Sequence, residues 1–153
     1  MIPLRIGRLT LRAHIGLVVI AAALFALGGD LWERYLLLLA TLLLHELAHA
    51  GTALAFRAER AVVSIWPWGG VAHVERFSDY REALVALAGP LSNLAVAGGT
   101  FLAGARFSLE LGRCAPLDFV LTCNLLMGIV NLLPVPGLDG GCALGIFLGR
   151  QPR

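Results

Sequence analysis

The residues best suited to chemistry stand close together in Leu44-His45-Glu46-Leu47-Ala48-His49. On a helix, positions i and i+4 share one face, so both imidazoles can reach a single metal ion. Glu46, next to the first imidazole, can take a proton from a water acidified by that metal. The stretch is otherwise apolar. An ionisable group deep in a membrane costs about 2.5–3.5 kcal/mol on insertion scales, so three in one turn cost roughly 7–10 kcal/mol unless metal and water compensate. The structural alternative is three polar groups that face a bundle interior and are satisfied by neighbours.

Two histidines call for a third protein ligand and an open position for water. By residue type His14 and His73 are candidates. His14 lies beside Arg12 at the start of an apolar stretch, which suits a snorkelling side chain. His73 lies in a hairpin-like segment, which suits a surface or substrate-side position. Among carboxylates, Asp139 stands in a distinctive setting, Asn131-Leu-Leu-Pro-Val-Pro-Gly-Leu-Asp139-Gly-Gly141. It also fits the N-cap of a short helix beginning at Gly140. Cys114, Cys123 and Cys142 are irregularly spaced and form neither a disulfide framework nor a metal knuckle; they read as small apolar residues.

The elements that carry these groups are membrane elements. Of 153 residues 58% are apolar and 14% charged, against roughly 45–50% and 25% in soluble domains, and the mean hydropathy is +0.81. These values exclude a soluble globular domain, a disordered chain and a nucleic-acid binder. All twelve basic residues are arginine, and the net charge of +2 is too small to imply an anionic partner.

Four stretches approach the roughly 20 residues a bilayer span needs: 14–29, 35–56, 83–104 and 117–135, followed by a short helix over 139–148. The first has an arginine-rich front but no clean A-x-A cleavage site, and it reads as a retained helix. With the N-terminus cytoplasmic, nine of the twelve arginines fall on the inside, which sets the orientation. His45, His49 and Asp139 then lie at similar depth. Residues 61–76 combine β-branched and aromatic residues around Pro67, Gly69 and Gly70; they predict a small interfacial hairpin turning near Trp66–Gly70. The fold expected is one all-α polytopic membrane domain over 1–153, with about four transmembrane helices, that hairpin and the short C-terminal helix. Gly89-Pro90 predicts a kink in the third span. Ala48, Ala50, Gly51, Ala53 and Ala55 permit tight packing of the second. Asn93 suits either an interhelical bond or a place near the metal.

HELAH in one span and NLLPVPGLDGG in a later one together resemble the site-2 protease family of intramembrane zinc metalloproteases, in particular its compact branch that includes the stage IV sporulation protein FB. Trp68-Gly-Gly-Val-Ala72 is similar to the family's Gly-Gly segment, and Leu87-Ala-Gly-Pro-Leu-Ser-Asn93 to its A-G-P-x-x-N segment. The resemblance covers about residues 35–145 in the family's order. It implies that His45, His49 and Asp139 bind one Zn²⁺ and that Glu46 activates the water. It further implies that Asn131 assists at the substrate carbonyl or its oxyanion. The Ser64–Val74 hairpin would pair with an unwound substrate segment as an added strand; the peptide bonds of that segment need replacement partners inside a bilayer.

The implied activity is hydrolysis of a peptide bond in or beside a transmembrane segment of a membrane-protein substrate, such as an anti-sigma or pro-sigma regulator, at the cell membrane. Two departures stand out. Cys142 replaces the basic residue common after Asp-Gly-Gly, and the chain stops at Arg153 where the family commonly continues, which fits a minimal core or a truncated product. The rival reading is a catalytically silent membrane protein that uses the metal site to bind or retain partner helices, or one that handles metal. Glu46 separates them, because a binding site has no need of a base beside its ligand.

Overall fold

A computed structural model describes residues 1–106 and 115–148. Cys114 and Arg113 lie outside the described residues. The predicted hairpin is half of a four-stranded sheet. Strands β1 (Ile2–Ile6), β2 (Leu9–Ala13), β3 (Ala61–Trp66) and β4 (Gly69–Val74) are ordered β1-β2-β3-β4. The outer pairs are antiparallel and the central pair, Leu9 opposite Ala61 through Ala13 opposite Ile65, is parallel. The β3–β4 turn falls at Pro67-Trp68, as the sequence predicts.

The N-terminal hairpin adds two strands to an expected fold that held only the one small hairpin. Ile2, Leu4 and Ile6 alternate with Pro3 and Arg5, the period of a strand. Gly7, at φ +59°, supplies the left-handed first position of the two-residue turn. Arg8, at the tip, donates from Nη1 to the Ala58 carbonyl (3.1 Å) and from Nη2 to that of Leu54 (3.4 Å). A cation there answers the carbonyl end of the helix carrying the two histidines.

The parallel pairing of β2 with β3 requires a crossover, which helices α1 (Gly16–Leu27) and α2 (Leu31–Ala55) provide. They are followed by α3 (Tyr80–Arg106), α4 (Ala115–Asn131) and α5 (Asp139–Phe147). Among the described residues, α2 and α3 are long and apolar enough to cross a membrane. The expected first span, 14–29, is trimmed at both ends: His14 and Ile15 form the turn into α1, and Gly28 and Gly29, both at positive φ, end the helix. Twelve residues of α1 rise about 18 Å. The expected fourth span ends at Asn131, because Pro134 and Pro136 oppose a helix at and before their own positions.

Val63 and Ile65 of β3 pack on Ala50 of α2, with Leu43 and Leu47 around them. Asp79 opens α3: its carboxylate accepts from the Arg81 backbone N–H (2.9 Å), and the Arg81 guanidinium holds it below the usual carboxylate range. Among the described residues, Thr41, His45, Glu46, His49, Ser64, Asn93 and Asn124 are buried and polar. Large apolar side chains such as Phe25, Leu102, Leu126 and Phe147 face outward. That exposure exceeds the scattered apolar exposure normal for a water-soluble protein.

Candidate metal centre

The i, i+4 spacing works as predicted. His45 Nε2 and His49 Nε2 are 3.1 Å apart, and Asp139 Oδ2 lies 3.2 Å from the first and 3.3 Å from the second. These three atoms form a triangle of nearly equal sides. A tetrahedral ion with bonds of about 2.0–2.1 Å, the range for zinc with imidazole or carboxylate, spaces its ligands by about 3.3–3.4 Å. The donor set therefore fits such an ion. Its chemistry fits as well, since Asp139 Oδ2 is buried without a hydrogen-bond donor. The other nitrogen of each ring faces an oxygen: His49 Nδ1 lies 2.7 Å from the Val85 carbonyl, and His45 Nδ1 lies 2.5 Å from Asn93 Oδ1. Such partners orient metal-binding imidazoles and leave the opposite nitrogen free.

Asp139 is brought to this point by the α4–α5 junction. Leu138 is the N-cap and Asp139 the first residue of α5, so the alternative reading of Asp139 as an N-cap gives way to its place in the triangle. Gly140 and Gly141 press their backbone on the preceding loop; a Cβ at 140 would strike the Leu132 carbonyl, and one at 141 the Val135 carbonyl. On the opposite side stands α3. A Cβ at Gly89 would collide with His49 Nε2 and lie 2.6 Å from His49 Cε1 and 2.8 Å from His45 Cε1. The glycine thus gives backbone access to both rings, a stronger requirement than the kink that the Gly89-Pro90 pair predicts in sequence. Pro90 removes one i to i−4 bond of α3, leaving the Ala86 carbonyl without its helical donor.

Glu46 lines the same cavity of about 360 Å³ as the three ligand candidates, together with Ala72 and Asn131. Gly70 lets β4 approach: a Cβ there would meet Glu46 Cγ at 2.9 Å. β4 is the last strand of the sheet, so its outer edge meets no further strand among the described residues. Asn131 is half-buried at the cavity wall, where its Nδ2 donates to the Met127 carbonyl (3.0 Å).

The other candidates lie elsewhere. His14 Nδ1 accepts from the Gly16 backbone N–H (3.0 Å) at the start of α1, and His73 is exposed on β4. Cys123 is half-buried and Cys142 exposed, neither in a disulfide. Asn93 takes both roles the sequence leaves open, bonding His45 and, 2.9 Å from its Nδ2, Asn124 Oδ1 of α4. Asn124 carried no signal in the sequence, since its contacts depend on how three helices pack.

No protein-family model matches the sequence. The chain is 26% identical over 136 residues to zinc metalloprotease MJ0392 of Methanocaldococcus jannaschii, covering 88% of this chain and 40% of that protein. It is 33% identical over 135 residues to stage IV sporulation protein FB of Bacillus subtilis, covering 86% and 46%. It spans less than half the length of each curated relative it matches. Among solved structures, the site-2 protease from Methanocaldococcus jannaschii superposes with a TM-score of 0.72 at 25% identity, over 98% of this chain and 72% of that one. On these grounds the chain belongs to the site-2 protease family.

Proposed function

We infer that the chain is the catalytic core of an intramembrane zinc endopeptidase that hydrolyses a peptide bond in or next to a transmembrane segment of a membrane-protein substrate. The observation that carries this reading is the convergence of two imidazole nitrogens and an orphaned carboxylate oxygen on one point, with a glutamate on the same cavity. His45, His49 and Asp139 hold the zinc. Bound there, zinc supplies Lewis acidity, which acidifies water and polarises a carbonyl. Glu46 accepts the proton of the attacking water and returns it to the leaving amine. Asn131, on the cavity wall, assists at the substrate carbonyl. The free edge of β4 borders the cavity, and a substrate strand added there recovers the hydrogen bonds lost when its helix unwinds.

The membrane placement follows the same reading. Residues 1–153 form one membrane-embedded domain crossing the bilayer about four times. Support comes from the length of α2 and α3 and the outward apolar side chains of the shorter α1 and α4, such as Val18, Val19, Leu126 and Ile129. The arginine distribution places the N-terminus and the site on the cytoplasmic side of the cell membrane. Substrates of the class fit membrane-tethered regulators of the anti-sigma or pro-sigma type.

The test is reconstitution in liposomes with a single-span reporter whose transmembrane segment carries helix-breaking residues. The zinc-loaded protein should cut it. Glu46→Gln should retain about one zinc per chain yet cut at least 10²-fold more slowly. Cleavage by Glu46→Gln at the parental rate would refute the mechanism.

A further inference from the structure

His49 has its tautomer decided directly. Its Nδ1 faces the Val85 carbonyl, which can only accept, so Nδ1 carries the hydrogen and Nε2 keeps its lone pair for the metal. His45 has no such partner. It faces the side-chain amide of Asn93, and an amide can present either its oxygen or its NH₂. Were the NH₂ presented, the His45 hydrogen would move to Nε2 and point at His49 Nε2 and Asp139 Oδ2, closing the metal position.

We propose that Asn124 is a positioning residue that sets the tautomer of His45 through Asn93, with the Val120 carbonyl as the fixed end of the relay. Asn124 Nδ2 lies 2.8 Å from the Val120 carbonyl of its own helix. That carbonyl accepts and cannot donate, so the NH₂ of Asn124 must face it. Asn124 Oδ1 is thereby turned to Asn93, which donates from Nδ2 at 2.9 Å. Asn93 Oδ1 is left facing His45, accepts from Nδ1–H, and Nε2 is free. The Thr41 hydroxyl, 3.1 Å from Asn124 Nδ2, accepts the second N–H; a hydroxyl serves in either sense and does not oppose the order. Asn93 and Asn124 are 0% and 1% exposed, so water does not stand in for any member. A backbone carbonyl of α4 thus fixes a lone pair on α2 by way of α3.

This inference rests on the zinc reading for its purpose, but its test does not depend on it. The protein is labelled with ¹⁵N in its histidine rings, purified in detergent and stripped of metal. Imidazole nitrogen–proton correlation then reports the tautomer of His45 at a pH where the ring is neutral. The affinity for Zn²⁺ alone is measured in parallel by competition with a chelator. The parent should show an unprotonated Nε2. Asn124→Leu should show mixed tautomers and about 10- to 100-fold weaker zinc binding. Asn93→Asp presents only acceptor oxygens, so it sets Nδ1–H without help, and the pair Asn93→Asp with Asn124→Leu should recover both the tautomer and most of the affinity.

A packing role for Asn124 would leave that pair as impaired as Asn124→Leu alone, which would overturn the proposal. So would a parent protein with the hydrogen on Nε2, a reading that requires no variant to fold. A parent that shows the stated tautomer and binds no zinc would overturn the zinc reading and leave the relay standing.

Discussion

Gly89→Ala tests whether the third helix is shaped around the two imidazoles. The added methyl would lie 2.6 Å from His49 Cε1 and 2.8 Å from His45 Cε1, where carbon atoms normally stand about 3.5–4.0 Å apart. The rings and the helix must therefore separate by about 1 Å. Overpacking of this kind costs about 1–3 kcal/mol, of which alanine's better helix propensity offsets about 1 kcal/mol. The remaining 0–2 kcal/mol lowers Tm by at most about 8 °C in a chain of this size, so the variant should fold. The metal site is far less tolerant, because ligand distances must hold to about 0.2 Å. Zinc affinity should fall at least 10-fold, and any hydrolysis by about 10²-fold, the effect of a 1 Å misplacement.

The control lies on the same helix. A Cβ at Gly99 meets nothing within 4 Å, so Gly99→Ala should leave zinc binding unchanged. The assay is chelator competition beside thermal unfolding in detergent. A Gly89→Ala protein with parental zinc affinity would refute the argument that this glycine exists to admit the rings.

Asp139→Ala should lose most bound zinc by elemental analysis, and full retention would remove Asp139 from the ligand set. Zinc at a thousand times its dissociation constant should stabilise the fold by about 4 kcal/mol; equal unfolding temperatures with and without chelator would contradict the triangle as a metal site. Gly141→Ala sets a methyl against the Val135 carbonyl, a backbone contact that no rotamer relieves. It should cost about 1–3 kcal/mol and weaken zinc binding through the displaced Asp139, and a variant matching the parent in both would contradict the packing of that loop.

What the sequence revealed of the site depended on locality. His45, Glu46 and His49 sit on one helix, where spacing alone places side chains. Asp139 was visible because its Pro- and Gly-rich setting marks a turn at the right depth. Asn93 and Asn124 are 31 residues apart, and their bond exists only because α3 and α4 pack against each other; no local pattern encodes it. Gly89 read as a helix breaker beside Pro90, whereas its neighbours across the interface explain it. In the fold, β1 and β2 were hidden by Arg5, Arg8 and Arg12. Counted as charges, these residues mark a membrane flank; in place, Arg5 and Arg12 alternate with apolar strand residues, of which Leu9 and Leu11 pack on the cluster around Ala50, and Arg8 occupies the turn. The length of α1 was overestimated because hydropathy does not register the turn at His14–Ile15 or the positive φ of Gly28 and Gly29 that ends the helix.

The three ligand candidates reach the membrane at different times. His49 and Asp139 are about 90 residues apart in the chain, which at synthesis rates of about 5–20 residues per second separates their emergence by roughly 5–20 s. During that interval α2 and α3 can already meet, with His49 held by the Val85 carbonyl, but neither Asn124 nor Asp139 has arrived. Two imidazoles alone, one without its relay, make a weak and reversible perch for any ion. On that order the three-point site exists only once α4 and α5 have docked.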